Sequence, residues 1–519
     1  MQNYKILWVD DEIDLLRPHI LFLQNRGYEV TPINNGSDAI EKCQNEQFDV
    51  VFLDENMPGL SGLESLAQIK TIRPNLPVVM ITKSEEEHIM EEAIGAKIAD
   101  YLIKPLNPNQ ILLSVKKILE NKRIITERTN INYQQDFRNI SMAFSDYMSH
   151  TEWAEMHKKL LYWELAMDSS QNKGMFEVLE TQKSEANNNF SKFIINNYES
   201  WLHDPEEDRP ILSHQLMKKK IFPELDNNQP VFFILIDNLR YDQWKILEPL
   251  IQEYYNVDKE ESYYSILPTT TAYSRNAVFS GMMPSEMEKY HSDIWIGEDI
   301  EEGKNLNESE FLERQFKKNR LNIKYSYHKI LNIAQGKQLS ENIHNLLKND
   351  LNIIVYNFVD MLSHARTEME MIRELAPNES AYRSLTRSWF SYSPLLEILS
   401  TLSDNKVKVI ISTDHGAIRV KKPFRIVGDR NTNTNLRYKQ GKNLSFDEDK
   451  VYVVRKPENI FLPKVNVSTS YVFAVEDYFF AYPNNYNYYV KYYNDTFQHG
   501  GISMEEIIIP IISLDSKKF

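Results

Sequence analysis

Short apolar runs that lead into an aspartate constrain this chain more than any other feature. They are "KILWVDD", "FDVVFLD", "PVFFILID", "LNIIVYNFVD" and "VKVIISTD", which reach Asp10 and Asp11, Asp54, Asp237, Asp360 and Asp414. Each run has strand length, is rich in β-branched and aromatic residues, and reads as a buried strand. Helical patterns such as "DLLRPHILFLQNRG" separate the strands. Such alternation builds a mainly parallel sheet with helices on both faces. Ligands of these folds sit beyond the carboxyl ends of the strands, so the acids are expected to converge there.

A chain of 519 residues exceeds one ordinary domain of about 100–200 residues. The patterns divide it into 1–122, 123–208 and 209–519. The net charge of −15 argues against a general DNA-binding surface, which would be basic. No direct DNA-binding motif such as a helix-turn-helix is seen. Cys43 is the only cysteine, so no intramolecular disulfide is expected and a reducing compartment is implied. The start "MQNYKILWVDDE" carries no secretory pattern. The longest apolar runs, "VFFILI" and "IIIPII", fall far short of the roughly 18 residues of a membrane span. A cytoplasmic protein without membrane insertion is expected.

In 1–122 the strand ends carry Asp10, Asp11, Asp54, Thr82 and Lys104. Clustered carboxylates repel one another, and a hard cation with oxygen ligands relieves this, which suits Mg²⁺. A carboxylate also serves as a nucleophile toward a phosphoryl group. Thr82 is then positioned to hydrogen-bond the new phosphate and Lys104 to pair with it. The segment resembles the receiver domain of two-component response regulators, which implies a flavodoxin-like fold and a sensor histidine kinase as partner. The resemblance implies Asp54 as phospho-acceptor. It also implies Asp11 as a direct Mg²⁺ ligand, Asp10 as a nearby one, and the main chain of Asn56 as a third. Thr82 and Lys104 fit the switch positions, and Tyr101 fits the aromatic switch. The Lys104–Pro105 bond is expected to be cis, since only proline makes cis cheap.

Between 123 and 208 turn signals are scarce, and Phe137, Ile140, Phe144, Tyr147 and Met148 recur at helical spacing. A small helical bundle acting as a coupler or dimer face is expected. His150, His157 and His203 lack partners at ligand spacing and read as packing or surface residues.

From 209 onward, Asp237, Asp360 and Asp414 follow strands. His364 lies four residues past Asp360, His415 follows Asp414, and His499 precedes two glycines. Mixed imidazole and carboxylate ligands suit zinc, and these six divide into two sites of three. Two such cations clamp the attacking and leaving oxygens of a phosphoryl displacement and activate a weak hydroxyl nucleophile. The threonines of "LPTTTAYSRNAVFSG" supply that hydroxyl.

The ordered set "LIDNLRYDQW", "PTTTAYSRNAVFSG", "STDHG" and "HGGISMEE" resembles the PglZ branch of the alkaline phosphatase superfamily, which implies an alkaline-phosphatase-like α/β domain. The resemblance puts Asp237, Asp414 and His415 in one zinc site together with the nucleophile. It puts Asp360, His364 and His499 in the other. Related nucleotide phosphodiesterases carry their nucleophilic threonine ten residues before a glycine and thirteen before a proline. Counting back from Gly281 and Pro284 gives Thr271. Those enzymes hold the phosphate with an asparagine three residues on, where this chain has Ser274. Ser274, Arg275 and Asn276 all stand as substrate-binding candidates. Segments 366–397 and 416–470 look like insertions, and Arg419, Lys421, Lys422, Phe424, Arg425, Arg430, Arg437 and Tyr438 read either as a surface that stacks bases and meets phosphates or as a solvated lid.

The whole arrangement resembles response regulators that control type IX secretion. The expected activity is zinc-dependent hydrolysis of nucleotide or oligonucleotide phosphodiesters, linear or cyclic, governed by phosphorylation of Asp54, which is also expected to drive homodimerisation through the receiver's distal face or the bundle. The alternative is a phosphorylation-controlled adaptor with an idle phosphatase fold. A sigma factor or another transcription protein is a candidate partner.

Overall fold

The computed structural model describes residues 4–518 apart from 84–97, 145–146, 171–172, 205–208, 228, 298–302 and 429–431, and apart from the side chains of 120–130, 169–170, 173, 226–227 and 449. The chain divides into two compact units, Met1–Gln134 and Gln135–Phe519.

The first unit holds β1 (Lys5–Val9), β2 (Glu29–Ile33), β3 (Val50–Asp54), β4 (Val78–Thr82) and β5 (Asp100–Ile103). They form one parallel sheet in the order β2-β1-β3-β4-β5. Successive strand residues face opposite ways. Leu7, Val9, Val51 and Leu53 therefore pack with Ala39, Cys43, Leu66 and Ile69 of the helices Gly36–Asn45 and Gly62–Ile72. Ile6, Trp8, Val50 and Phe52 pack on the other face with Ile20, Leu23, Ile111 and Val115. This is the flavodoxin-like architecture expected. Gly62 is required where it stands, because a Cβ there would lie 2.2 Å from the carbonyl oxygen of Asp54. Ser61 and Glu64 cap that helix reciprocally, which fixes its start beside the strand end.

The second unit is built on a sheet of β6 (Val231–Ile236), β7 (Tyr255–Tyr264), β8 (Tyr325–Ile330), β9 (Leu351–Tyr356), β10 (Lys408–Ser412) and the strand Ile508–Ser516. β10, β6, β9 and β8 are neighbours in that order and parallel. Ile508–Ser516 runs antiparallel to both β10 and β7. The central sheet is thus mainly parallel, with an antiparallel side. β6, β9 and β10 are buried along their whole length. Phe232, Ile234, Ile354, Val409 and Ile411 pack against Trp244 and Leu247 of the helix Tyr241–Ile251 and against Leu395 and Ile398 of Pro394–Ser403. Each such side chain contributes roughly 1.5–3 kcal/mol on burial.

The helices His150–Ser170 and Lys173–His203 belong to this second unit. Trp153, Phe190, Phe193 and Trp201 make an aromatic seam with Tyr264 of β7, the Trp201 and Tyr264 ring centroids lying 5.7 Å apart. A buried ion network ties the same two helices to each other and to the helices Tyr241–Ile251 and Glu379–Ser391. Arg383 pairs with Glu164 at 2.6 Å and with Asp242 at 2.9 Å, while Lys183 pairs with Glu164 at 2.5 Å.

The two insertions differ from expectation. They form the helices Glu370–Leu375 and Glu379–Ser391 and a small sheet of Tyr438–Gly441, Ser470–Ala474 and Val451–Val454. Arg437 and Tyr438 are buried, and Arg437 donates to both oxygens of Glu506 at 3.1 and 2.7 Å. Lys421 pairs with Glu180 at 3.0 Å, Lys422 with Asp477 at 2.8 Å and Arg419 with Asp495 at 3.4 Å. Arg419, Lys421, Lys422 and Arg437 are thus paired with the protein's own acids and Phe424 is buried, while Arg425 is exposed. Arg430 lies outside the described residues.

Candidate active site

Three neighbouring parallel strands deliver the acids of the second unit. β6 runs into Asp237, β10 runs through Thr413 into Asp414 and His415, and β9 leads to Asp360 in the first turn of the helix Phe358–Glu368. Their carboxyl ends meet at one sheet edge. His364 lies one helical turn beyond Asp360, so both project from the same helix face. Asp237, Asp414 and His415 offer ligand atoms within 4.8 Å of one another, and so do Asp360, His364 and His499. In the first trio His415 Nε2 is 3.9 Å from Asp237 Oδ1 and 3.8 Å from Asp414 Oδ2. In the second, Asp360 has His364 Nε2 at 3.6 Å and His499 Nε2 at 3.8 Å. The His415 and His499 rings stack with centroids 4.3 Å apart, so the trios lie side by side.

The two histidines are oriented from behind. His415 Nδ1 is 3.1 Å from the carbonyl of Gly416, and His499 Nδ1 is 3.2 Å from that of Thr269. A ring nitrogen facing a carbonyl carries the proton, which leaves Nε2 free as a ligand. Thr269 adds a second restraint, since its hydroxyl donates to Gly501 O at 3.1 Å and accepts from Gly500 N at 2.9 Å.

Burial pushes the Asp237 carboxyl well above the carboxylate range; Arg275 opposes this and Asp414 and Asp360 add to it. Burial also drives His499 down to about 3, helped by His415. Asp414 Oδ2 is buried without a hydrogen-bond donor. Crowded acids, an imidazole kept neutral by burial at His499 and an open carboxylate oxygen on Asp414 are features a bound divalent cation satisfies. The mixed nitrogen and oxygen donors suit zinc.

Thr271 opens a wide helical turn, Thr271–Arg275, that follows β7 and continues into Asn276–Ser280. Its hydroxyl lies 3.1 Å from His415 Nε2 and 3.4 Å from Asp237 Oδ1. The three residues expected to meet substrate are all buried. Ser274 Oγ donates to carbonyls of Ile266 and Pro268 and accepts from Ser265. Arg275 donates to Asp237 Oδ2 at 2.9 Å. Asn276 Nδ2 donates to Ala272 O and Lys304 O.

In the first unit Asp10, Asp11 and Asp54 also bring ligand atoms within 4.8 Å of one another. Lys104 Nζ lies 2.8 Å from both Asp10 Oδ2 and Asp54 Oδ1. Burial raises Asp54 to about 6; Lys104 lowers it and Asp10 raises it further. The Lys104–Pro105 bond is cis. The Thr82 hydroxyl donates to Glu55, Asn56 is exposed, and Tyr101 is half-buried at the edge of the core. Glu55 was not singled out by sequence; it stands next to Asp54, and its contact with Thr82 spans two strand ends.

Asn238 and Glu308 were also missed. Asn238 follows a strand-ending acid, where asparagine normally reads as a turn residue. Glu308 has no local signal at all.

Family models match the chain in three places. Residues 6–116 match the response regulator receiver domain, 123–202 the PorX response regulator linker domain, and 216–514 the BREX system PglZ alkaline phosphatase-like domain. The last covers more than half of the chain. The chain therefore belongs to the PglZ alkaline phosphatase-like family, as a PorX-type response regulator in which receiver and linker precede that domain. The receiver implies a sensor kinase that phosphorylates it.

Curated relatives match through the receiver. The transcriptional regulatory protein ZraR of Klebsiella oxytoca is 36% identical over 24% of this chain and 28% of its own length. The transcriptional regulatory protein ResD of Bacillus subtilis is 35% identical over 22% of this chain and 48% of its own. The chain thus spans less than half of either. Among solved structures, a CheY-like receiver from Methanospirillum hungatei is 28% identical over 23% of this chain and 96% of its own, with a TM-score of 0.23. CheY4 of Vibrio cholerae is 29% identical over 22% of this chain and 99% of its own, with a TM-score of 0.22. No helix among the described residues is long and apolar enough to cross a membrane.

Proposed function

We propose that the second unit is a two-zinc phosphodiesterase, acting on nucleotides or oligonucleotides, whose output the receiver controls through Asp54. The observation that carries this reading is the Thr271 hydroxyl, 3.1 Å from His415 Nε2 and 3.4 Å from Asp237 Oδ1, beside a second trio of the same chemistry. Asp237, Asp414 and His415 would hold one cation, and Asp360, His364 and His499 the other. When bound, the pair lowers the pKa of a coordinated hydroxyl and neutralises charge on phosphate oxygens. Thr271 attacks phosphorus, forming an Oγ–P bond as the ester bond to the leaving alcohol breaks. Water then cleaves the phosphothreonine ester. Thr269, Gly416 and Arg275 keep His499, His415 and Asp237 in register for both steps. The resemblance to secretion-controlling response regulators noted in the sequence is the ground for placing the output in the control of type IX secretion.

The test is hydrolysis of bis-p-nitrophenyl phosphate by the full chain, as purified, after chelation and after zinc is restored. Zinc-restored activity is expected. Undiminished hydrolysis by the chelated protein overturns the metal assignment.

A further inference from the structure

We infer that Asn238 is a positioning residue that ties the two ligand trios together. The inference rests on the two-metal reading above and deepens it. Asn238 directly follows Asp237 and is 1% exposed. Its backbone sits at φ 61°, in the left-handed region that residues other than glycine rarely adopt and asparagine tolerates best. From there its two kinds of donor reach different trios. The backbone N–H lies 3.4 Å from Asp414 Oδ1, and the side-chain Nδ2 lies 3.2 Å from Asp360 Oδ1. One residue thus hydrogen-bonds a carboxylate in each trio.

The orientation of the amide follows from chemistry. An ionised carboxylate only accepts, so the nitrogen of the amide must face Asp360. Its oxygen is left buried with no hydrogen-bond partner. A left-handed backbone and an unmatched buried carbonyl both disfavour asparagine for packing alone. Glycine would relieve the first and remove the second. What glycine cannot supply is the donor to Asp360. Of that trio's ligands, His499 is already held by Thr269 and His364 lies on the rim with its side chain 62% exposed. Asp360 has Asn238 as its fixed point on the sheet edge.

The roles of backbone and side chain therefore separate. Removing the amide should loosen the Asp360–His364–His499 site. The N–H bond to Asp414 survives in any variant, so the Asp237–Asp414–His415 site should keep its affinity.

Zinc titrations of the full chain against a chromophoric chelator test this, with Asn238→Gly and Asn238→Ala each made alone and on a His364→Ala background. Wild type should bind two equivalents. Both single variants should weaken one equivalent by about 10- to 100-fold, the usual effect of losing a partner behind a ligand. On the His364→Ala background, the remaining site should change by less than about twofold. Unchanged affinity for both equivalents in both single variants overturns the inference. So does a loss at the site that His364→Ala leaves intact. A wild type that binds fewer than two zinc ions overturns the two-metal reading itself, and the inference with it.

Discussion

Arg275 Nη1 donates to Asp237 Oδ2 at 2.9 Å, and the same guanidinium lies 2.7 Å from Glu308 Oε1. All three side chains are 1% exposed. Glu308 is held in turn by Lys329 at 2.9 Å and by Tyr327 at 2.5 Å. The arginine that follows the threonine cluster therefore faces a ligand-set carboxylate, and its charge is already matched.

Replacing one partner of a buried pair leaves the others uncompensated, at a cost of about 3–5 kcal/mol. Arg275→Met should lower unfolding stability by that order, measured by chemical denaturation in chelator. Lys cannot reproduce the two-sided geometry, so Arg275→Lys should recover only part of it. An Arg275→Met protein as stable as wild type would show that Asp237 and Glu308 do not depend on the guanidinium.

His157 provides a pH signature separate from the two acid–imidazole trios. Its ring is buried edge-on to Tyr241, and burial, with Lys183 adding to it and Asp242 opposing, drives its pKa down to about 3 from 6.5. The unfolded chain binds a proton here that the folded chain refuses. Stability is therefore lost as pH falls below 6.5 toward 3, at a limiting slope of about 1.4 kcal/mol per pH unit. Between pH 6.5 and 4.5, His157→Asn should flatten the stability profile by that slope relative to wild type. Parallel profiles would exclude His157 as the source.

Lys104 joins Asp10 and Asp54 in the receiver, 2.8 Å from each. A phosphoryl group on Asp54 adds charge where Lys104 and Thr82 can follow it. Light scattering with beryllofluoride and Mg²⁺ should report a doubled mass for wild type and an unchanged mass for Asp54→Asn. A wild-type mass that stays constant contradicts phosphorylation-driven dimerisation.

The acids at the strand ends were legible because a buried parallel strand must deliver whatever follows it to one edge. That argument needs only local pattern, and it brings Asp10, Asp11 and Asp54 together, and Asp237, Asp360 and Asp414 as well. What local pattern does not carry is the partner across the fold. Arg437 reads as a surface cation until Glu506 is seen against it. Arg275 reads as a phosphate ligand until Asp237 and Glu308 enclose it. Asn238 reads as a turn residue until its two donors are traced to separate trios. Likewise, the helices of 123–208 were legible by periodicity, but Glu164 and Lys183, which bind them to Arg383 and each other, are ordinary surface residues by sequence.

The central claim is that Thr271 is the nucleophile. Its most direct test is acid quenching of the zinc-loaded protein during turnover of a phosphodiester, followed by peptide mass mapping. The account predicts a phosphoryl adduct on the peptide bearing Thr271, absent from Thr271→Ala, which should also lose hydrolysis. Full turnover by Thr271→Ala, or an adduct on a different residue, would contradict it.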